Sequence, residues 1–357
     1  MKKIRIGIIG QGRSGWDIHG AGLTRPKLKE LFQVVAVCDK LVERTKDAVE
    51  AHGCKAYTDY KELLKDPDVD LVVNSTQSPD HTPISIEALK AGKMVLCEKP
   101  LARHVADVEK LEETIRSTGK FFAVFQQSRF APTYRKVLEI MNSGVLGRIV
   151  MVKVAFNGFA RRWDWQTLQD MNAGNLLNTG PHPLDQALQL MGDVDPEKIT
   201  CYMDRANTFG DAEDHVKLLM SAKGHPVVDL EISSCTHFSP YVYQVYGTNG
   251  SLTGDHNKLQ WKWFDPAEAP QQKLIREPLE GRAYCSEKLS FYEGSWQTSE
   301  EGVAFQSRVE KFYCNLYDAI TKGTPLEVPL HQVKRQIAVI EECHRQNPLS
   351  KLGEKKC

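Results

Sequence analysis

Three short segments hold residues able to carry chemistry. The first, residues 95–102, reads VLCEKPLA. Its apolar residues suit a buried strand and its exit, yet Glu98 and Lys99 stand in the middle. Taking two charges out of water is costly unless they are paired or used. Pro100 follows at once and biases Lys99 towards extended backbone. The second segment, residues 10–15, is the glycine pattern GQGRSG. The third, residues 174–192, reads GNLLNTGPHPLDQALQLMG and leads into an apolar helix with His182 at its start. An imidazole titrates near neutrality, which suits proton transfer. Asp185 lies one helical turn further on and can supply a charge to it, or serve the helix N-terminus as an ordinary acid.

The elements around these segments follow from hydrophobic period. Apolar runs at 4–9, 34–39, 69–76, 94–99 and 121–127 alternate with helical stretches that stop at Gly53, Gly92 and Gly119. Near-continuous apolar strands separated by helices mean a parallel sheet covered on both faces. A doubly wound domain is expected over 1–125. Beyond 130 the runs lengthen and alternate with period two, at 148–159, 198–204, 213–222, 226–235, 241–255 and 258–264. These predict an open, mainly antiparallel sheet in an α+β domain over 126–357. Residues 265–300 read as a long loop region, followed by closing helices near 303–322 and 331–346. The fold class is therefore α/β with a second α+β domain.

In such a sheet, ligands bind outside the carboxyl ends of the strands. The glycine pattern sits there, between a strand and a helix, which is the context that makes it a dinucleotide turn. Gly10 permits the turn, Gly12 admits a pyrophosphate, and Gly15 lets helix and strand approach. Gln11, Arg13 and Ser14 complete the turn. Asp39 closes the second strand, at roughly the ~20-residue distance where an acid meets the ribose hydroxyls. The acid favours NAD, while Lys40 beside it also suits the 2′-phosphate of NADP. Thr76 and Gln127 end other strands and border the same crevice.

GQGRSG, VVAVCD, STQSPDHTPISIEALKAGKMVLCEKPLA and NLLNTGPHPLDQALQLMG, in this order over residues 7–192, resemble the glucose–fructose oxidoreductase / inositol dehydrogenase (Gfo/Idh/MocA) family. The resemblance implies that Lys99 and His182 form the catalytic pair that handles the carbinol proton. It implies that Glu98 lies near the nicotinamide ribose, that His81 stands beside the dinucleotide, and that Lys99–Pro100 is a cis peptide. Matching the third segment to the family pattern G-x-L-x-D-x-G-x-H-x-x-D gives Gly174, Leu176, Asn178, Gly180, His182 and Asp185. Asn178 replaces the usual acid. An amide holds a substrate hydroxyl but accepts no proton, so Asp185 becomes the expected source of charge. The loop GFARRWDWQ resembles a sugar subsite: Trp163 or Trp165 to stack on a ring, Arg162 and Asp164 to bind hydroxyls. The same aromatics also suit an interface.

Composition narrows the partners. Lysines plus arginines equal aspartates plus glutamates, 46 each, which argues against nucleic acid or an anionic membrane. No segment approaches the ~20 apolar residues of a membrane span, and a cytoplasmic location is expected. The nine cysteines contain no CxxC pair. His182, Asp185, His215 and His237 follow no metal-ligand spacing, so no metal is expected. The expected activity is NAD(P)-dependent oxidation of a secondary hydroxyl of a sugar, glycoside or cyclic polyol. The alternatives are a sugar-derivative reductase and a non-catalytic NAD-binding regulator. Since the second sheet leaves a face to be covered, and the family commonly buries it between subunits, a homodimer or homotetramer is expected.

Overall fold

A computed structural model of the protein describes residues 3–279, 281, 284–299 and 304–352. The outer limits of the two expected domains, and residue 303 at the expected helix start, lie outside them. The chain opens with β1 (Ile4–Ile9), a π-helical turn (Ser14–Gly20), α1 (Pro26–Leu31), β2 (Phe32–Cys38), α2 (Lys46–His52), β3 (Lys55–Tyr57) and α3 (Tyr60–Lys65). It continues with β4 (Leu71–Asn74), α4 (His81–Lys90), β5 (Met94–Cys97), α5 (Val105–Thr118) and β6 (Phe122–Val124). These six strands are all parallel, in the order β3-β2-β1-β4-β5-β6. The order reverses between β1 and β4, which makes that edge the place for a ligand.

Burial explains the arrangement. Ile6, Ile8, Leu71, Val72, Val73, Val95, Leu96 and Cys97 are all fully buried. One sheet face packs on Leu63, Ile84, Leu89, Val108 and Leu111 of α3, α4 and α5. The other packs on Leu28 of α1 and on Val309, Phe312, Tyr313, Leu316 and Tyr317 of α9 (Phe305–Lys322). The first sheet is thus closed by a helix from the far end of the chain. Gly53 and Gly119 end α2 and α5 in left-handed backbone, as their positions predict.

The second part holds α6 (Pro132–Asn142), β7 (Ile149–Asn157), α7 (Asn175–Asn178), α8 (Pro181–Met191), β8 (Lys198–Asp204), β9 (His215–Ser221) and β10 (Val227–Ser233). Then come β11 (Tyr243–Gly247), β12 (Gly250–Gly254), β13 (Lys258–Trp263), β14 (Tyr292–Gln297), α9 and α10 (Leu330–Gln346). Its eight-stranded sheet runs β14-β13-β12-β11-β7-β10-β9-β8. Every pair is antiparallel except β7 with β10. Two expectations fail. The edge strand β3 is too short and too exposed to show as an apolar run. The expected loop region contains β14, whose six residues pair with β13. Its sequence YEGSWQ looks turn-like, but a Cβ on Gly294 would lie 2.1 Å from the Trp261 ring. The glycine makes room for a cross-strand tryptophan.

One buried ion pair joins α8 to the segment that follows β6. Arg129 follows β6, and its Nε and a terminal nitrogen donate to both oxygens of Asp185 on α8, at 2.7 and 2.6 Å. Arg129 also donates to the Glu327 carbonyl and to Gln332. Both partners of the pair are almost fully buried. Asp185→Leu leaves the guanidinium unpaired and is expected to lower stability by about 3–5 kcal/mol in urea unfolding. Arg129→Met/Asp185→Leu together should recover most of it. A loss under about 1 kcal/mol in the single variant would contradict the role of the pair.

Candidate active site

The glycine turn leaves β1 with Gly10 at φ +87°, where a side chain is strained and a Cβ would meet the Ser75 carbonyl at 2.5 Å. A Cβ on Gly15 would lie 1.8 Å from the Gly10 oxygen. Around Gly12 there is nothing within 4 Å. Two glycines therefore build the turn, and the third leaves its outer side open to a phosphate. The chain after it forms a wide π-helical turn rather than an α-helix. Asp39 accepts from the backbone N–H of Gln11 at 2.7 Å and of Leu41 at 2.9 Å, which fixes the carboxylate at the rim of the turn. Lys40 is exposed beside it.

The end of β5 answers why Glu98 and Lys99 are there. Glu98 is 3% exposed. His19 Nε2 donates to its Oε1 at 3.2 Å, and the Lys99 backbone N–H donates to its Oε2 at 3.0 Å. Nδ1 of His19 meets the Tyr313 hydroxyl at 2.7 Å. Burial alone would raise the Glu98 pKa; the bond from His19 and the nearby positive charge outweigh it and hold it below the usual carboxylate value. Both Glu98 oxygens thus take part in the frame around the end of β5. Lys99–Pro100 is a cis peptide. Lys99 Nζ donates to the Asn178 carbonyl at 2.8 Å. Burial lowers its pKa, and the charges of Arg13 and Arg162 lower it further against Glu98. His81 is also part of the frame. Its ring stands between the carbonyls of Pro100 (2.7 Å) and Thr76 (3.0 Å), tying β4 to the turn after Lys99. It is 2% exposed, burial keeps its pKa low, and its ring holds the two carbonyls in place. The Thr76 hydroxyl donates to Asn74.

His182 enters the crevice from the start of α8. Its Nδ1 lies 3.1 Å from Gln126 Oε1, while Gln126 Nε2 donates to the Pro181 carbonyl at 2.6 Å. A carbonyl only accepts, so these contacts orient the amide and turn Oε1 towards the imidazole. Nδ1 must then carry the proton, which leaves a lone pair on Nε2. Burial, with Lys99 next, pushes the His182 pKa down to about 3. The ring is neutral at physiological pH, and its Nε2 lone pair faces away from the bond to Gln126. Asp185 does not supply the expected charge, because Arg129 takes both its oxygens. Asn178 donates to the Gln166 carbonyl at 2.6 Å. A Cβ on Gly174, at φ +112°, would meet the Glu213 carboxylate at 2.4 Å, which accounts for the glycine that opens this segment.

The loop after β7 borders the same crevice. Arg162 donates to both oxygens of Asp164 at 2.9 and 2.7 Å, and its charge bears on Lys99. Asp164 caps the turn Trp165–Thr167. Trp163 is 78% exposed, with the Phe209 ring edge-on 6.3 Å away. Trp165 is half-buried. The four residues thus stay together at the mouth, with the acid and the arginine paired to each other. Among the described residues, no group of three or more His, Cys, Asp or Glu side chains is placed to hold a metal. His215 bonds Ser233, and His237 stacks on Phe159.

The residues present fit a nicotinamide cofactor and a hydroxylated ligand. Gln11 Oε1, Gln127 Oε1 and Asn178 Oδ1 are buried acceptors with no partner. Leaving such an atom unsatisfied costs about 1–3 kcal/mol, so all three suit donors of a ligand, such as a carboxamide or hydroxyls. Sequence reasoning missed His19, Tyr313 and Gln126. The first two meet across 294 positions of chain, which no local pattern reports. Gln126 stands next to a residue selected by the strand-end rule, and only the side-chain direction separates the two.

Fold and site together define a nicotinamide-dependent oxidoreductase. Residues 4–126 match the family described as "Oxidoreductase family, NAD-binding Rossmann fold", and residues 134–253 match the GFO/IDH/MocA C-terminal domain. The chain belongs to the Gfo/Idh/MocA oxidoreductase family. It is 32% identical to trans-1,2-dihydrobenzene-1,2-diol dehydrogenase of Bos taurus over 274 residues, 73% of this chain and 77% of that protein. It is 28% identical to dehydrogenase aclE of Aspergillus oryzae over 328 residues, 81% and 85% of the two chains. Among solved structures it resembles an oxidoreductase from Thermotoga maritima (TM-score 0.79, 20% identity, 97% of each chain). It also resembles the WlbA dehydrogenase of Bordetella pertussis in complex with NADH and UDP-GlcNAcA (TM-score 0.77, 20% identity, 97% and 96% covered). No helix among the described residues is long and apolar enough to cross a membrane.

The hydrogen bond between Gln126 and His182 generates a test. Gln126→Glu puts a carboxylate beside the ring and favours the imidazolium, so the acidic limb of the pH–rate profile should move to higher pH. Gln126→Leu removes the acceptor that selects Nδ1–H, and turnover should fall about 10- to 100-fold with NAD affinity kept. A pH profile unchanged in Gln126→Glu would disconnect the two residues.

Proposed function

We propose that the protein is a dehydrogenase that oxidises a secondary hydroxyl of a sugar, glycoside or cyclic polyol, with Lys99 and His182 as its proton-handling pair. The observation that carries this reading is the shared crevice of His182, whose Nδ1 is held by Gln126, and Lys99, whose Nζ donates to the Asn178 carbonyl. Oxidation of a carbinol needs a base for the O–H proton and a positive partner for the developing alkoxide. His182 Nε2 takes the proton; Lys99 donates to the oxygen and stabilises its charge. The bound nicotinamide supplies the hydride acceptor. Asn178 Oδ1 and the mouth residues Arg162, Trp163, Asp164 and Trp165 orient the remaining hydroxyls. The reverse reduction uses the same groups with the proton moving back. A non-catalytic NAD-binding regulator has no need of a base held in one tautomer.

Asp39 is assigned the adenosine ribose hydroxyls, which favours NAD over NADP. Gly10, Gln11, Gly12, Arg13, Ser14 and Gly15 are assigned the pyrophosphate, and Gln127 the nicotinamide side. The division into a dinucleotide domain over 1–125 and a substrate domain over 126–357 goes with this reading. So does a homodimer or homotetramer: Tyr202 and Leu219 leave apolar surface exposed on the second sheet. The relatives named as dihydrodiol dehydrogenases support a cyclic diol as the substrate type.

The test is NADH formation from NAD with a panel of sugars, inositols and cyclic trans-diols. Lys99→Met and His182→Ala should each lower turnover by roughly 100- to 10,000-fold while NAD still binds. Near wild-type turnover in both variants would place the chemistry elsewhere. Asp39→Ala should weaken NAD binding far more than it changes turnover at saturating cofactor, and unchanged affinity would remove Asp39 from the site.

A further inference from the structure

A second arginine lies near the crevice, and among the described residues no carboxylate pairs with it. Phe312 on α9 packs edge-on against Phe125 and Phe130, with ring centres 4.8 and 6.0 Å away. Those two residues flank Gln126 and Gln127. Further along α9, Tyr317 packs on Phe32 at the start of β2. The helix therefore runs from the carboxyl edge of the first sheet towards its amino edge. Arg308 lies one turn before Phe312, so it sits at the carboxyl edge, over the crevice. Its charge bears on His182 from α8, on Tyr243 from β11 and on His256 from the turn after β12.

None of these neighbours is an acid. Tyr243 donates its hydroxyl to Gln186, and His256 packs on Phe156. Among the described residues no carboxylate pairs with Arg308, and its Nε is buried with no acceptor at all. An arginine often keeps its stem on apolar surface and its head in water. Here the Nε itself is shut away from water, and a desolvated donor of a charged group is costly to leave unmade. Every other arginine near the pair has an evident use: Arg162 holds Asp164, Arg129 holds Asp185, and Arg13 belongs to the glycine turn.

We infer that Arg308 binds a carboxylate of the substrate, so that among hydroxylated substrates of the class proposed above the protein prefers those that carry an acid group, such as a sugar acid, over their neutral counterparts. A planar guanidinium matches a carboxylate with two parallel bonds, and one positive charge balances one negative charge. The carboxylate lies on the His182 side of the crevice, away from Arg13 and Arg162, which bear on Lys99. This orients the substrate so that the carbinol falls between Lys99 and His182. The inference rests on the dehydrogenase reading above for its chemistry, but not for the anion site itself.

Matched pairs separate the two. D-glucose with D-glucuronate, D-galactose with D-galacturonate, and glycerol with glycerate are assayed with NAD. The acid member of a pair should show the higher kcat/KM. Arg308→Gln should lower the acid-to-neutral ratio by about 10- to 150-fold, the size of a charged hydrogen bond. Arg308→Lys should lie between the two, and NAD affinity should hold in both. Preference for the neutral members, or a ratio unchanged in Arg308→Gln, overturns the inference. Absence of turnover for every member counts against the dehydrogenase reading alone, and the anion site is then read without turnover. Acetate should raise the Tm of the NADH-loaded wild type above a chloride control, and this rise should vanish in Arg308→Gln. Equal shifts in both proteins overturn the site. A shift with inorganic phosphate but not with acetate, lost in the variant, overturns the carboxylate assignment.

Discussion

A carboxylate buried at the end of β5 organises this crevice. Glu98 keeps its charge inside the protein only because donors are brought to it: the His19 ring and the Lys99 backbone N–H. Those donors come from different parts of the chain. His19 belongs to the π-helical turn after the glycines, and its other nitrogen meets Tyr313 on α9. Satisfying one buried charge therefore aligns the glycine turn, the closing helix and the backbone of Lys99. The wide turn also has a role in this frame, since it carries His19 to the sheet.

The other half of the pair follows a different principle. His182 is held by an amide, not by a carboxylate, so nothing draws a proton onto it. Burial then keeps the ring neutral. Asn178, which replaces the acid of the family pattern, adds no negative charge here; its amide donates to the Gln166 carbonyl. The charge that Asp185 brings is spent instead on Arg129, where it locks α8 against the exit of β6.

Much of this was legible in the sequence because it depends on local pattern. Continuous apolar strands and glycine stops located the parallel sheet, and the roles of Gly10 and Gly15 follow from close approach that any side chain would block. Lys99 stood out as a charge in apolar surroundings, and His182 as a titratable group at the start of an apolar helix. What was not legible depends on tertiary approach. The direction of Glu98 is decided by His19, which Tyr313 holds. The engagement of Asp185 is decided by Arg129, and the strand at Tyr292–Gln297 by the tryptophan on its neighbour. Gln126 differs from Gln127 only in which way an amide points.

The account turns on the protonation state of His182, and nitrogen-15 spectra of histidine-labelled protein read it directly. The account predicts an Nδ1–H tautomer that does not titrate between about pH 5 and 8, the range in which an ordinary histidine changes charge. A His182 that titrates near neutrality, or that carries its proton on Nε2, would contradict it.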